Sequence, residues 1–184
     1  MSTPSLLTVV SSTPHIWLMC EPDGKVTCVT EPRWLDEREQ QAWRSLMKMQ
    51  DGLSEFIERQ LRNRCGLSGA DYQVLAHLSE APEGRLRSFE LGQLLRWEKS
   101  RLSQHLGRMQ NRGLVSRERC LADQRGAVVA ITPRGSDLIE AAAPQHVADV
   151  RDVLIDHLTA TEMAMLVTIG DKVAERLAAL EHKH

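Results

Sequence analysis

The chain has 184 residues, 42% hydrophobic and 26% charged, with a formal charge of −2 at pH 7. That size suits one domain with extensions and a real core, and no apolar run approaches a membrane span. Leu6 to Val10 is too short, and lacks the basic flank, to be a secretory signal, so a cytoplasmic protein with reduced thiols is expected. Cys20, Cys28, Cys65 and Cys120 make no CxxC and no Cys/His cluster at zinc spacing. No metal or cofactor is expected. Without a nucleophile–base constellation or a phosphate loop, the chain does not read as an enzyme.

Residues 1–33 stand apart as an N-terminal extension. Met1 to Pro14 is rich in Ser, Thr and Pro. Two β-prone runs, His15–Cys20 and Lys25–Thr30, flank Glu21-Pro22-Asp23-Gly24, a sequence suited to a hairpin turn. Cys20 and Cys28 would share a face of that hairpin without lying opposite one another. From Asp36 the period becomes helical, with Trp43, Leu46, Met47, Leu53, Phe56, Ile57 and Leu61 marking a helix to about Arg64. Asp36 and Glu39 fit its N-terminal cap.

Leu67-Ser68-Gly69-Ala70 breaks that helix, and Ser68 suits the cap of another, Asp71 to Leu78. Arg85-Leu86-Arg87 reads as a short strand, followed by Ser88 as cap of a helix from Phe89 to Leu95. A further helix begins at Lys99. In it Leu102, Leu106 and Met109 recur at i, i+4, i+7 and form one apolar stripe. Opposite that stripe lie Ser100, Ser103, Gln104 and Arg108, flanked by Lys99, Arg101 and His105. Short hydroxyls, an amide and cations are the groups that meet phosphates and base edges. Strands at 114–120 and 127–132 then bracket Leu121 to Gly126. Pro133 opens a helix to about His157 with a kink or break at Pro144. Thr159 or Thr161 caps the last helix, Glu162 to about Glu181, apolar at Met165, Leu166, Ile169, Val173, Leu177 and Leu180.

Charge is concentrated in one place. From Arg96 to Arg134 there are nine Lys and Arg against three acids, a net of +6, so the rest of the chain carries −8. Such a segment, coinciding with helix, turn, helix and hairpin, is the electrostatic footprint of a nucleic-acid partner.

Arg108-Met109-Gln110-Asn111-Arg112-Gly113-Leu114-Val115, then Asp123-Gln124-Arg125-Gly126 and Ile131-Thr132-Pro133-Arg134-Gly135, occur in this order. Together they resemble the MarR family of winged-helix regulators from about Trp34 onward: the helix end, the Asp-x-Arg wing and the Thr-x-x-Gly start of the next helix. The resemblance implies a mainly α fold with a small β wing, a winged helix-turn-helix with long dimerisation helices at both ends. Residues 34–66 would be the N-terminal dimerisation helix, 67–135 the DNA-binding lobe and 136–184 the C-terminal dimerisation helices. It further implies a homodimer, a recognition helix from Lys99 to about Arg112 in the major groove, and Arg125 at the wing tip reaching the minor groove. A two-fold dimer would read a pseudo-palindrome with half-sites about 34 Å apart.

Arg125 is the foremost DNA-binding candidate, with Asp123 beside it as an orienting partner or merely its turn mate. Arg101, Ser103, Gln104 and Arg108 come next, with Lys99 and Ser100 on the same helix. His105 suits a phosphate or the helix flank equally, and Ser88 suits a phosphate, a cap or both. MarR-like regulators often hold small aromatic or phenolic effectors, for which Trp43, Met47, Leu75, His77 and Trp97 are candidate walls, ordinary core packing being the alternative. The expectation is a repressor released by such a ligand. A thiol switch at Cys65 or Cys120 is one alternative, since Arg62 and Arg64 neighbour Cys65. A non-DNA-binding interaction module is another.

Overall fold

The computed structural model describes residues 17–20, 26–29, 32–119 and 127–181. Two units divide the chain, residues 1–48 and 49–184. In the first, β1 (Trp17–Cys20) and β2 (Val26–Val29) form an antiparallel pair in which Cys20 lies opposite Val26 and Cys28 opposite Leu18. The Pro22-Asp23-Gly24 turn lies outside the described residues. Helix α1 (Glu37–Cys65) starts in this unit and runs into the second. Its start is closed reciprocally: the Glu39 N–H donates to Asp36 Oδ1 and the Asp36 N–H to Glu39 Oε2, both at 2.9 Å.

The second unit holds α2 (Gly69–Glu80), β3 (Arg85–Arg87), α3 (Ser88–Leu95), α4 (Lys99–Asn111), β4 (Val115–Arg119), β5 (Ala127–Ile131), α5 (Pro133–Val153) and α6 (Ala160–Glu181). Its sheet has the order β3-β5-β4, antiparallel throughout, with Leu86 opposite Val129 and Val115 opposite Ile131. The mainly α fold with a small β wing is therefore the one observed. The core gathers apolar side chains from every layer: Leu61 of α1, Val74, Leu75 and Leu78 of α2, Leu91 of α3, Leu102, Leu106 and Met109 of α4, Val129 of β5 and Ile139 of α5. At roughly 25 cal/mol per Å² of apolar surface, this burial is the main force holding α4 against the sheet and α2.

Local chemistry fixes the wing's exit. The Thr132 hydroxyl donates to the Gly113 carbonyl at 2.7 Å, and the Gly135 N–H donates back to Thr132 Oγ1 at 3.0 Å. Thr132 thus caps α5 while tying it to the start of β4. Glycine is required at position 135, where a Cβ would lie 2.2 Å from the Leu114 carbonyl oxygen.

Two expectations change. Ser88 is the first residue of α3 rather than its cap, because β3 runs directly into the helix and Arg87 occupies the cap position. The Arg87 N–H is taken by Glu90 Oε2 at 3.0 Å, and Ser88 Oγ is left buried without a partner. Helix α5 also continues across Pro144 and ends at Val153, a short 3₁₀ turn following at Ile155–His157. Pro144 and Glu140, whose carbonyl loses its donor, are both exposed, so the unpaired carbonyl need not be buried without a partner. Between the two threonines proposed as the α6 cap, Thr159 takes the role, exchanging hydrogen bonds with Glu162. Among the described residues no single helix is long and apolar enough to cross a membrane.

Candidate nucleic-acid interface

Helix α4 separates its two faces sharply. Leu102, Leu106 and Met109 are buried, whereas Lys99, Ser100, Arg101, Ser103, Gln104 and Arg108 are exposed. A side chain of β4 joins this exposed face: Arg117 Nη2 donates to Ser103 Oγ at 3.4 Å. In sequence Arg117 is one cation of the basic segment with nothing to link it to the helix face, because only the folded hairpin brings β4 beside α4. A hollow of about 940 Å³ lies along the same side, with Ser88, Phe89, Trp97, Lys99, Ser103 and Arg117 among its walls. The orphaned Ser88 hydroxyl therefore lies beside this cationic surface.

Of the two places the sequence leaves open for His105, the helix flank is the one it fills. It is 8% exposed, packed edge-on against Trp97 with ring centroids 5.2 Å apart. Its Nε2 lies 3.1 Å from Asp71 Oδ1 without an aligned hydrogen bond, and Arg108 Nη2 lies 3.1 Å from its Nδ1. Burial pulls the imidazole pKa below the ordinary histidine value; Asp71 opposes that and Arg108 adds to it. The physical reason is the spacing: position 105 stands three after Leu102 and four before Met109, hence on the edge of the apolar stripe.

Asp71 anchors this part of the lobe. Its carboxylate, 3% exposed at residue level, accepts from Arg112 Nη1 at 2.7 Å and from the Ser68 N–H at 3.0 Å. Arg112, the residue that ends α4, also donates to the Gly66 carbonyl at 2.8 Å. One guanidinium thus fastens the end of α4 to both sides of the α1–α2 turn. Burial alone would raise the Asp71 pKa, but the bonds from Ser68 and Arg112 outweigh it and hold the carboxyl below its usual range. Arg112 is consequently a structural cation. Arg101 lies over the Trp97 ring, 4.4 Å from its centroid, with its side chain at the surface.

The remaining candidates fall in several places. Asp123 and Arg125 at the wing tip, and Cys120 before it, lie outside the described residues. Leu75 is fully buried in the core and His77 is half-buried on α2. Trp43 is exposed and Met47 half-buried in the first unit. Trp97 alone of the five effector candidates borders both the larger hollow and a second one of about 460 Å³ on the other side of α4. Cys65 is free, half-buried and packed against the hydrophobic core.

Residues 66–126 match the model of the MarR family. The chain is 37% identical to AbsC, a MarR family transcriptional regulator from Streptomyces coelicolor, over 80% of this chain and 99% of that one, with a TM-score of 0.77. It is likewise 37% identical to Sco3205, a MarR family transcriptional regulator of the same organism solved in complex with DNA, over 80% and 92% of the two chains and with a TM-score of 0.77. A mutant MarR from E. coli complexed with operator DNA shares the fold at 23% identity and a TM-score of 0.66, over 76% and 99% of the two chains. No curated protein is significantly similar to the chain.

Proposed function

The chain belongs to the MarR family of transcriptional regulators, and from that premise we propose that it is a cytoplasmic, sequence-specific repressor acting as a homodimer on a pseudo-palindromic operator. The observation that carries this reading is the exposed face of α4, where Lys99, Ser100, Arg101, Ser103, Gln104 and Arg108 stand opposite the buried stripe. Gln and Arg are the side chains that bond bidentately to adenine and guanine, and Lys and Ser reach phosphates. That Sco3205, 37% identical, was solved in complex with DNA supports the same use here. In this reading residues 67–135 form the DNA-binding lobe, and α4 enters the major groove. Arg125, oriented by Asp123, extends from the hairpin tip into the minor groove, where negative potential favours arginine. Helices in 34–66 and 136–184 join two copies.

The effector is a small aromatic or phenolic compound held beside α4. Trp97 offers it a flat apolar wall between two hollows, and occupancy there would favour a dimer whose recognition helices are wrongly spaced for one turn of DNA. The test is selection of bound duplexes from a randomised DNA library, followed by fluorescence anisotropy in rising salt with and without aromatic acids. A recovered inverted repeat, bound more tightly than unrelated DNA and released by an aromatic acid, is the expected result. Recovery of no sequence would overturn the regulator reading; an operator indifferent to every aromatic acid would overturn the effector alone.

A further inference from the structure

Arginine has only donors to offer, so the contact of Arg108 Nη2 with His105 Nδ1 at 3.1 Å is attractive only when Nδ1 carries no proton. The ring proton must then sit on Nε2. That nitrogen is buried, and the polar group beside it is Asp71 Oδ1 at 3.1 Å. Asp71 itself cannot swing away, being gripped by Arg112 and the Ser68 N–H. A chain of contacts therefore runs from the fixed carboxylate on α2, through a buried ring, to an exposed guanidinium on α4.

We propose that His105 is a positioning residue for DNA reading: its neutral imidazole, set against Asp71, accepts from Arg108 and fixes the direction in which that guanidinium leaves the recognition helix. This rests on the regulator reading above and adds to it a device for specificity. A free arginine side chain has many rotamers, and holding one of them reduces the ordering that DNA contact requires. The device is also sensitive to acid. A proton on Nδ1 replaces the acceptor with a donor and places a second cation against Arg108. The groups around the ring are Asp71 from α2, Arg101 and Arg108 from α4, Arg112 at its end, and Glu58 and Arg62 of α1 lining the same hollow. Extra positive charge strengthens binding to any DNA, so the quantity to follow is the ratio of operator to unrelated-duplex affinity.

The probes are the duplex recovered by selection and a shuffled duplex of equal length. They are compared in fixed salt at about pH 7.5 and at an acid pH reached by titrating downward from the ordinary histidine value of 6.5, because burial moves the ring's protonation below it. In the unaltered protein the affinity ratio should fall about tenfold on acidification, the scale of one lost arginine–guanine pair. His105→Asn keeps an oxygen near the Nδ1 position but cannot protonate, so its ratio should stay near the neutral-pH value at both pH values. His105→Leu fills the space and removes the acceptor; its ratio should be low at both. A folded His105→Leu protein with full discrimination, or an acid-induced fall that persists in His105→Asn, would overturn the proposal by reducing His105 to packing. Should His105→Leu fail to fold by circular dichroism, the pH profile of His105→Asn decides alone. An unaltered protein that selects no sequence would remove the regulator reading and this one with it.

Discussion

Replacing Arg112 by alanine would leave the Asp71 carboxylate, 4% exposed as a side chain, with no counter-charge in contact, the neighbouring His105 imidazole being neutral. Because Arg112 is itself 42% exposed, the cost should fall below that of a fully buried pair, at about 2 kcal/mol, read as a shift in the urea midpoint; an unchanged midpoint would refute the clamp. Gly135→Ala should cost a similar ~2–3 kcal/mol, since its Cβ meets a backbone oxygen that cannot rotate aside. Acid should act through named side chains as well. Burial lowers the folded pKa of His105 and of His146, the latter with Asp149 opposing. The unfolded chain then takes up protons first, near the ordinary 6.5. Stability is full above that value and falls as pH drops toward the folded pKa values. Asp71 adds a separate loss below about 3.8, as pH falls through its depressed folded pKa. Thermal midpoints from pH 7 to 5 should decline, and His105→Asn combined with His146→Gln should flatten the decline. Gly135 was legible in the Thr-x-x-Gly pattern, and Ser68 as a cap in its neighbours. The partnership of Asp71 with Arg112 was not, because 41 residues separate them and no periodicity links a helix start to the end of another helix. His105 stays open between phosphate and helix flank in the sequence for a smaller reason: three apolar residues define a stripe's centre, while its edge depends on whether α2 covers it.

At the scale of the element, α4 holds a contradiction that DNA would resolve. Lys99 and Arg101 occupy its first turn, which has no acid and no side-chain cap, although cations at a helix N-terminus oppose the macrodipole. The same cations and free N–H groups suit a phosphate. Arg101→Ala should therefore raise the isolated fold's stability or leave it unchanged while weakening operator binding by about 1–3 kcal/mol and lowering the salt slope by about one. Equal weakening at all salt concentrations would show that Arg101 acts only through Trp97, on whose ring it lies. Most elements were readable because each has a strong local signal: the Asp36, Ser68 and Thr132 caps, the Gly113 stop at φ 71°, and the apolar period of α1 and α4. At Pro144 the sequence leaves kink and break open, and α5 runs through without a break, that part of the helix facing water where an unpaired carbonyl is tolerated.

For the whole molecule, α6 poses the energetic question. No residue of this 22-residue helix is buried, and Met165, Ile169, Val173 and Leu177 are each about half exposed along one stripe. In proteins most helical stability comes from covering an apolar face rather than from intrinsic propensity. Contiguous exposed apolar surface of this kind marks an interaction site, and in the proposed homodimer a second copy of this chain would supply the matching stripe under two-fold symmetry. Sedimentation should therefore show a dimer at micromolar concentration. Ile169→Glu with Leu177→Glu should place two carboxylates per copy against their counterparts, giving monomers with a largely melted α6. The consequence for DNA is sharper than the loss of one contact. Each lobe alone neutralises half as many phosphates and reads one half-site, so monomers should bind with about half the salt slope and no preference for an inverted repeat. Removing residues 1–33 should change neither property, since the proposed lobe and dimerisation helices lie within residues 34–184; loss of either would place the extension in the working protein. A charge-substituted protein that remains dimeric would show that α6 is covered otherwise, and α1, with Trp43 and Leu46 exposed, would then be the helix to substitute.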